Sequence, residues 1–249
     1  MSRITVFGAT GLTGRLVVKH ALAQGHEVVA LVRDPARLTP ESSGLNVIGG
    51  SPLSKVDVHR CVQGADAVIH CLGIGGKGDG KPTTLISDSV RLVLEAMQSH
   101  GVPRIVCMSN VGAGGSGSWF ANRFVIPLFL RWLLPIIEDK NRMEALLRAS
   151  SIEWISVRLP SIVEGPDTPL RVSADGRGLG LSISAESTAR FLLQQVGSRE
   201  YLRSAPSISN RVVSWSPSKI GSCESKPHQP TGLQSSLTWA LPDLHSGHW

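Results

Sequence analysis

Seven residues near the start, Gly8-Ala9-Thr10-Gly11-Leu12-Thr13-Gly14, have the spacing best suited to chemistry. They stand between a short β-branched run at 4–7 and a segment of helical period that begins at Leu12. In that context each glycine has a task. Gly8 permits a tight turn off the strand, Gly11 lets backbone amides approach an anion, and Gly14 lets the helix pack closely on the sheet. Thr10 and Thr13 add hydroxyl donors, and the helix start at Leu12 adds unpaired N–H groups and a positive dipole end. A pyrophosphate fits such a turn, so a dinucleotide is the expected ligand.

The second β-branched run ends at Leu31-Val32-Arg33-Asp34. At this place a carboxylate grips the ribose hydroxyls of NAD, whereas an arginine accommodates the 2′-phosphate of NADP. Arg33 comes first here, and its planar guanidinium can pair with phosphate and stack on adenine, with Arg37 as a second contact. NADP is therefore the expected cofactor. Asp34 keeps NAD as the alternative.

Positioning these residues requires strands and helices in alternation, and the chain has that rhythm. Strand-like runs at 4–7, 27–32, 67–71, 104–108 and 153–157 alternate with helical segments at 12–23, 56–62, 87–99 and 138–149. Gly25, Gly64 and Gly101-Val102-Pro103 punctuate them. The expected class is α/β, a doubly wound, mostly parallel Rossmann sheet with ligands at the carboxyl ends of its strands. After Leu159 the alternation weakens, with one clear helix at 185–196, and this part is expected to form a small C-terminal substrate lobe.

Residues 1–210 are read as the dinucleotide-binding domain and 211–249 as a Ser/Pro/His/Trp tail expected to be disordered. The alternative for the tail is that Trp215, Trp239 or Trp249 anchors a partner. Hydrophobic residues make up 41% of the chain and charged residues 18%, a globular balance. A net charge of +6 is spread singly along the chain and forms no dense basic run, which argues against nucleic-acid binding. The apolar run at 124–137 is interrupted by Pro127, Arg131 and Pro135, too short and broken to span a bilayer. Cys61, Cys71, Cys107 and Cys223 show no C-x-x-C spacing, and the chain opens directly into a strand. Reduced thiols, a cytoplasmic setting, a small-molecule substrate and a monomer or homodimer are expected.

Taken in order, further motifs carry a resemblance. They are Gly64-Ala65-Asp66-Ala67-Val68-Ile69, Pro82-Thr83-Thr84, His100-Gly101-Val102, the turn at Ser109, Arg142-Met143-Glu144 and Asp175-Gly176-Arg177-Gly178. Together with the glycine turn and Leu31-Val32-Arg33-Asp34, they make residues 1–210 similar to the atypical short-chain dehydrogenase/reductases, in the group like biliverdin-IXβ reductase/flavin reductase and NmrA-like proteins.

The resemblance implies that Leu72 and Gly73 line the adenosine and ribose side, and that Ser109 faces nicotinamide and substrate as a polar catalytic contact. Ser109 is otherwise a plain strand-ending serine. Lys140 matches the lysine of the Tyr-x-x-x-Lys pair used by ordinary short-chain dehydrogenases, and it would grip the ribose. Four residues earlier stands Ile136, and the only tyrosine is Tyr201. Pro160, Ser161 and Ile162, after Arg158-Leu159, match a turn whose backbone approaches the nicotinamide amide. Gly49-Gly50-Ser51 departs from the Gly-Asp whose carboxylate meets adenine in the family. The stretch 73–81 with Lys77 and Lys81 is read as a lid or a plain loop, and 124–137 with Trp119 and Phe120 as a pocket wall, helix core or subunit contact.

The expected activity is NADPH-dependent hydride transfer to a conjugated acceptor such as a flavin, tetrapyrrole or quinone. The alternative is a redox-sensing or scaffold protein that binds NADP(H) without chemistry. An epimerase or dehydratase stands third, since it would want the tyrosine.

Overall fold

Alternation along the strands decides the architecture. In β1 (Arg3–Phe7), Ile4 and Val6 point to one face of the sheet while Phe7 packs on the other and Thr5 donates its hydroxyl to the Cys61 carbonyl. Residues apolar on both faces need cover on both. The computed structural model describes residues 1–38, 44–74, 80–116 and 133–211. All but the tail, Val213–Trp249, belong to one unit, Met1–Val212.

The other strands of the main sheet are β2 (Glu27–Val32), β3 (Leu45–Gly49), β4 (Ala67–His70), β5 (Arg104–Asn110), β6 (Glu153–Leu159), β8 (Leu170–Ser173) and β10 (Ser207–Asn210). Their order is β3-β2-β1-β4-β5-β6-β10-β8, parallel throughout except where β8 meets β10. Helices α2 (Lys55–Val62), α3 (Leu85–His100) and α4 (Leu134–Ala149) cover one face through residues such as Val58, Ile86, Val93, Met143 and Leu147. The opposite face is covered by α1 (Leu12–Ala23) and α5 (Ala185–Gly197) through Val17, Val18, Ala189 and Leu192. The expected doubly wound fold is what forms.

Most elements fall where the periodicity places them, and the differences have causes. Strands β5 and β6 run two residues further than expected because they pair with each other along their whole length, Arg104 with Glu153 through Asn110 with Leu159. Helix α3 begins two residues early because a side chain from elsewhere holds its first turn. Asp139 of α4 accepts from the Ile86 and Ser87 amides at 2.9 and 3.1 Å, whereas Thr84 at the cap position makes no such bond. Past Leu159, β8 and β10 extend the main sheet. The remaining strands β7 (Ser161–Val163) and β9 (Ser182–Ser184) pair as a separate two-stranded ribbon.

Candidate functional site

Strand register lines up one row of backbone ends. Val32 pairs with Gly49, Phe7 with both Leu31 and His70, and His70 with Cys107. The carboxyl ends of β3, β2, β1, β4 and β5 therefore present, side by side, Gly50, Arg33, Gly8, Cys71-Leu72 and Met108-Ser109.

At the middle of this row Gly8 adopts φ +81°, and a Cβ there would sit 2.8 Å from the Cys71 carbonyl carbon. Only glycine fits both the dihedral and the close approach to the end of β4. A Cβ on Gly14 would overlap the Gly8 carbonyl oxygen, so helix α1 and the turn are in backbone contact. Gly11 is the cap residue of α1, with its amide bonded to the Gly8 carbonyl at 3.0 Å and no side chain capping the helix. No acidic residue stands in the first turn. Leu12 is exposed, Thr10 half-buried and Thr13 buried. The first-turn amides and the dipole are thus left for an external anion, and the residues present fit a pyrophosphate.

Beyond β2, Arg33 and Arg37 are exposed and make no ion pair with another described residue. Asp34 is engaged locally: its carboxylate accepts from the Ala36 amide at 3.1 Å and caps the short turn Pro35–Arg37. At the end of β3, where Gly50 offers no side chain, the carboxylate of Asp57 from α2 lies instead, accepting from the Ser51 amide at 3.0 Å.

The β4–β5 side of the row is held from below by α4. Lys140 is 3% exposed and donates to the Met108 carbonyl at 2.6 Å and, at 3.4 Å, to the Leu72 carbonyl. Burial pushes its pKa down to about 8, against the pull of Cys107, Asp139 and other neighbours. Burial also drives the Cys71 and Cys107 thiols up to about 12 and the His70 imidazole down to about 3, so these groups stay neutral. His70 stacks on Phe7 and meets the Ser89 hydroxyl at 3.0 Å.

Ser109 lies 2% exposed at the end of β5, and its hydroxyl donates to Glu144 of α4 at 3.0 Å. Glu144 is fully buried and is the hub of a network. One oxygen also accepts from Ser156 and from Arg158 Nε, and the other from Arg158 Nη2 at 2.6 Å and Arg148 at 2.7 Å. Burial alone would raise its carboxyl, but Arg158, Ser109 and Arg148 outweigh it and hold it below the usual carboxylate range. The hydroxyl proton of Ser109 therefore points at Glu144, leaving lone pairs for a ligand.

No phenol joins this group. Ile136 is buried at the position four before Lys140, and Tyr201 packs on Phe191 of α5, on the other face of the sheet from α4. Leu72 is half-buried beside the turn and Gly73 exposed. Pro160 and Ile162 are half-buried and Ser161 exposed, and the Ser161 amide donates to the Leu181 carbonyl as the β7–β9 ribbon begins. The structure thus brings the glycine turn, Arg33, Leu72, Ser109 and Lys140 to one edge. Lys77, Trp119, Phe120, residues 124–132 and the tail tryptophans lie outside the described residues. A separate cleft of about 440 Å3, between Asp167 to Leu170 and the α5 residues Ser187, Arg190, Phe191 and Gln194, shares no residue with this edge.

Sequence reasoning missed Asp139, Glu144 and Asp57. Only Glu144 had a signal, since it closes the Arg142-Met143-Glu144 motif.

Comparison with known proteins supplies independent findings. A family model described as NAD(P)H-binding matches residues 8–199. An uncharacterised protein of Mycobacterium tuberculosis is 30% identical over 156 residues, covering 63% of this chain and 14% of its own, so the chain spans a small part of that relative. Among solved structures, a short-chain dehydrogenase/reductase from Veillonella parvula in complex with NADP has a TM-score of 0.70 at 15% identity, covering 84% of this chain and 94% of its own. ChuY, an anaerobillin reductase from Escherichia coli O157:H7, has a TM-score of 0.69 at 17% identity, covering 84% and 97%. The fold is theirs, the residues of the glycine turn and the uncapped helix fit a dinucleotide, and the chain belongs to the NAD(P)H-binding family.

Proposed function

We propose that the chain is an NADPH-dependent oxidoreductase whose acceptor is a planar conjugated molecule of the flavin, tetrapyrrole or quinone type. The observation that carries the reading is that, among the described residues, no side chain stands free beside Lys140 to donate a proton: Ile136 is buried there, and the Ser109 hydroxyl donates its hydrogen bond to Glu144. Reduced nicotinamide supplies hydride from C4 when bound. An acceptor that delocalises the incoming electron pair can take its proton from water, and placement alone contributes several kcal/mol, on the order of 7 or more. An isolated ketone lacks that route.

In this reading the residues act by holding. The α1 amides fix the pyrophosphate, while Lys140 ties Leu72 to Met108 and keeps its third N–H for the ribose. Ser109 offers an acceptor to the nicotinamide amide or the substrate, and the peptides of Pro160, Ser161 and Ile162 border the nicotinamide side. The fold shared with an NADP-bound short-chain dehydrogenase/reductase and an anaerobillin reductase supports the reading. Consumption of NADPH should be seen with at least one member of a panel of flavins, quinones and linear tetrapyrroles, and simple aldehydes should be turned over more slowly by about a hundredfold or more. Saturable NADPH binding with no turnover of any acceptor would point instead to a protein that binds the cofactor to sense it.

Arg33 and Arg37 favour NADP over NAD because Asp34 is withdrawn to cap its own turn. Arg33→Ala should therefore weaken NADPH by about 10–100-fold, the worth of a charge-assisted contact, and NADH by about twofold or less. Parallel titrations of the two cofactors decide it. Equal losses would remove the phosphate assignment.

A further inference from the structure

The cleft beside α5 lies apart from the dinucleotide edge, and its walls carry polar groups whose bonding capacity the fold leaves unused. Helix α5 supplies Ser187, Arg190, Phe191 and Gln194, which share one face because they recur at the spacing of helical turns. The facing wall is residues 167–170, which lead into β8. Ser187 joins the two walls: its hydroxyl donates to the Asp167 carboxylate at 3.0 Å and accepts from the Thr168 amide at 2.9 Å. The shape is thus set by the fold, and a volume of about 440 Å3 falls within the span of about 300–1,000 Å3 usual for small-molecule sites.

Arg190 is anchored at one atom. Its Nε donates to Glu186 at 3.2 Å and stands 3.4 Å from an Asp167 oxygen, and no other hydrogen bond joins this guanidinium to a described residue. Nη1 and Nη2 therefore keep their N–H donors, in the planar fork that matches a carboxylate. Asp167 is only partly engaged as well. One oxygen accepts from Ser187, the other meets Arg190 as an ion pair, and the side chain is 48% exposed. The buried Thr168 hydroxyl, in the same wall, has no hydrogen-bond partner among the described residues. The rest of the lining is apolar, with Phe191 packed on Tyr201 at one side and Pro169 and Leu170 at the other.

Charge decides which class of ligand fits. Asp167 and Arg190 are adjacent and opposite, so together they form a fixed dipole with no net charge. A plain anion gains at Arg190 and is repelled by Asp167 beside it, and a plain cation meets the reverse. A ligand with its own positive and negative groups side by side, laid antiparallel to this pair, gains at both. An α-amino acid carries ammonium and carboxylate on one carbon, and an apolar side chain on that carbon covers Phe191, Pro169 and Leu170. Independently of the function proposed above, we infer that the cleft is a binding site for a free α-amino acid with an aromatic or branched apolar side chain. The Arg190 fork holds its carboxylate and Asp167 its ammonium.

The test titrates the full chain by calorimetry with L-phenylalanine and L-leucine. Two half-ligands of the first are compared with it: phenylpropionate, which lacks the ammonium, and phenethylamine, which lacks the carboxylate. At least one amino acid should saturate the wild type with a dissociation constant below about 10 mM, the affinity expected of a ligand of roughly a dozen heavy atoms. Each half-ligand should bind about 10-fold more weakly or worse, the worth of one charge-assisted contact. Arg190 is exposed, so Arg190→Ala should fold and should weaken the amino acid by about 10-fold or more. Unchanged amino-acid affinity in that variant overturns the inference. Equal binding of phenylalanine and both half-ligands does so too, since it reports an apolar groove that ignores charge. No saturation of the wild type by either amino acid below about 10 mM overturns it with no variant needed.

Discussion

Glu144→Ala is expected to lower the stability of the protein by about 3–5 kcal/mol, the cost of removing one partner from a buried ion pair. The guanidinium of Arg158 is only 7% exposed and takes both of its contacts to an acid from Glu144. Without that carboxylate a cation is stranded in the core, and Ser109 and Ser156 lose their acceptor with it. Glu144→Gln keeps the shape and one acceptor oxygen but turns an amide NH2 toward Arg158 or Ser109, so an intermediate loss is expected. Urea midpoints at constant m-value measure both. A loss under about 1 kcal/mol for the alanine variant would mean the network closes around the gap.

The same carboxylate gives the protein an acid limit. Its folded pKa is depressed, so the stabilisation it provides is complete above the ordinary carboxylate pKa and is lost as pH falls through the lower folded value. Wild type should therefore lose stability more steeply than Glu144→Gln below about pH 4. Identical acid slopes would assign the acid limit to other groups.

Gly14→Ala is expected to weaken NADPH binding by about a hundredfold or more. The added methyl would overlap the Gly8 carbonyl oxygen and lie 2.8 Å from its carbon. Both are backbone atoms, so no rotamer change relieves the contact, and relief requires α1 to withdraw from the turn. Overpacking of this kind costs about 1–3 kcal/mol, and withdrawal also moves the first-turn amides off the phosphates, each a charge-assisted contact. The substitution acts at one end of α1, so circular dichroism should report a sheet and helices close to wild type. Gly11→Ala is the informative contrast. Its methyl would meet the Gly8 oxygen at 3.3 Å, a contact small shifts can absorb, so its effect on binding should be the smaller. A Gly14→Ala dissociation constant within about twofold of wild type would show that the amides are not the phosphate site.

Local pattern carries far. The β-branched runs and helical periods placed α1 and β2 at the bounds observed, because both are set by short-range signals: apolar period and the glycines that stop them. The first turn was legible for the same reason, since three glycines between a strand and a helix have one economical use. The position of Arg33 directly after β2 was legible too. The extent of β5 and β6 was not, because a strand end is decided by its neighbour, and that neighbour lies across a crossover.

What the sequence by itself determined is the family of shapes and the anion-binding turn, since both rest on residues within a few positions of one another. What only the tertiary structure decided is the state of the polar groups around that turn. Ser109 finds Glu144 35 residues away, Ile86 and Ser87 find Asp139 at a distance of more than 50, and Lys140 reaches back to the carbonyl of Leu72. Burial and neighbours then set the state of each group: a lysine brought to a pKa of about 8, and a serine whose hydroxyl already donates its hydrogen bond to Glu144. Side-chain type is local information, but the partners that satisfy a buried group come from whichever elements the sheet brings alongside. For that reason the turn could be read as fit for a dinucleotide from seven residues, while the partners of Ser109 and Lys140 required the fold.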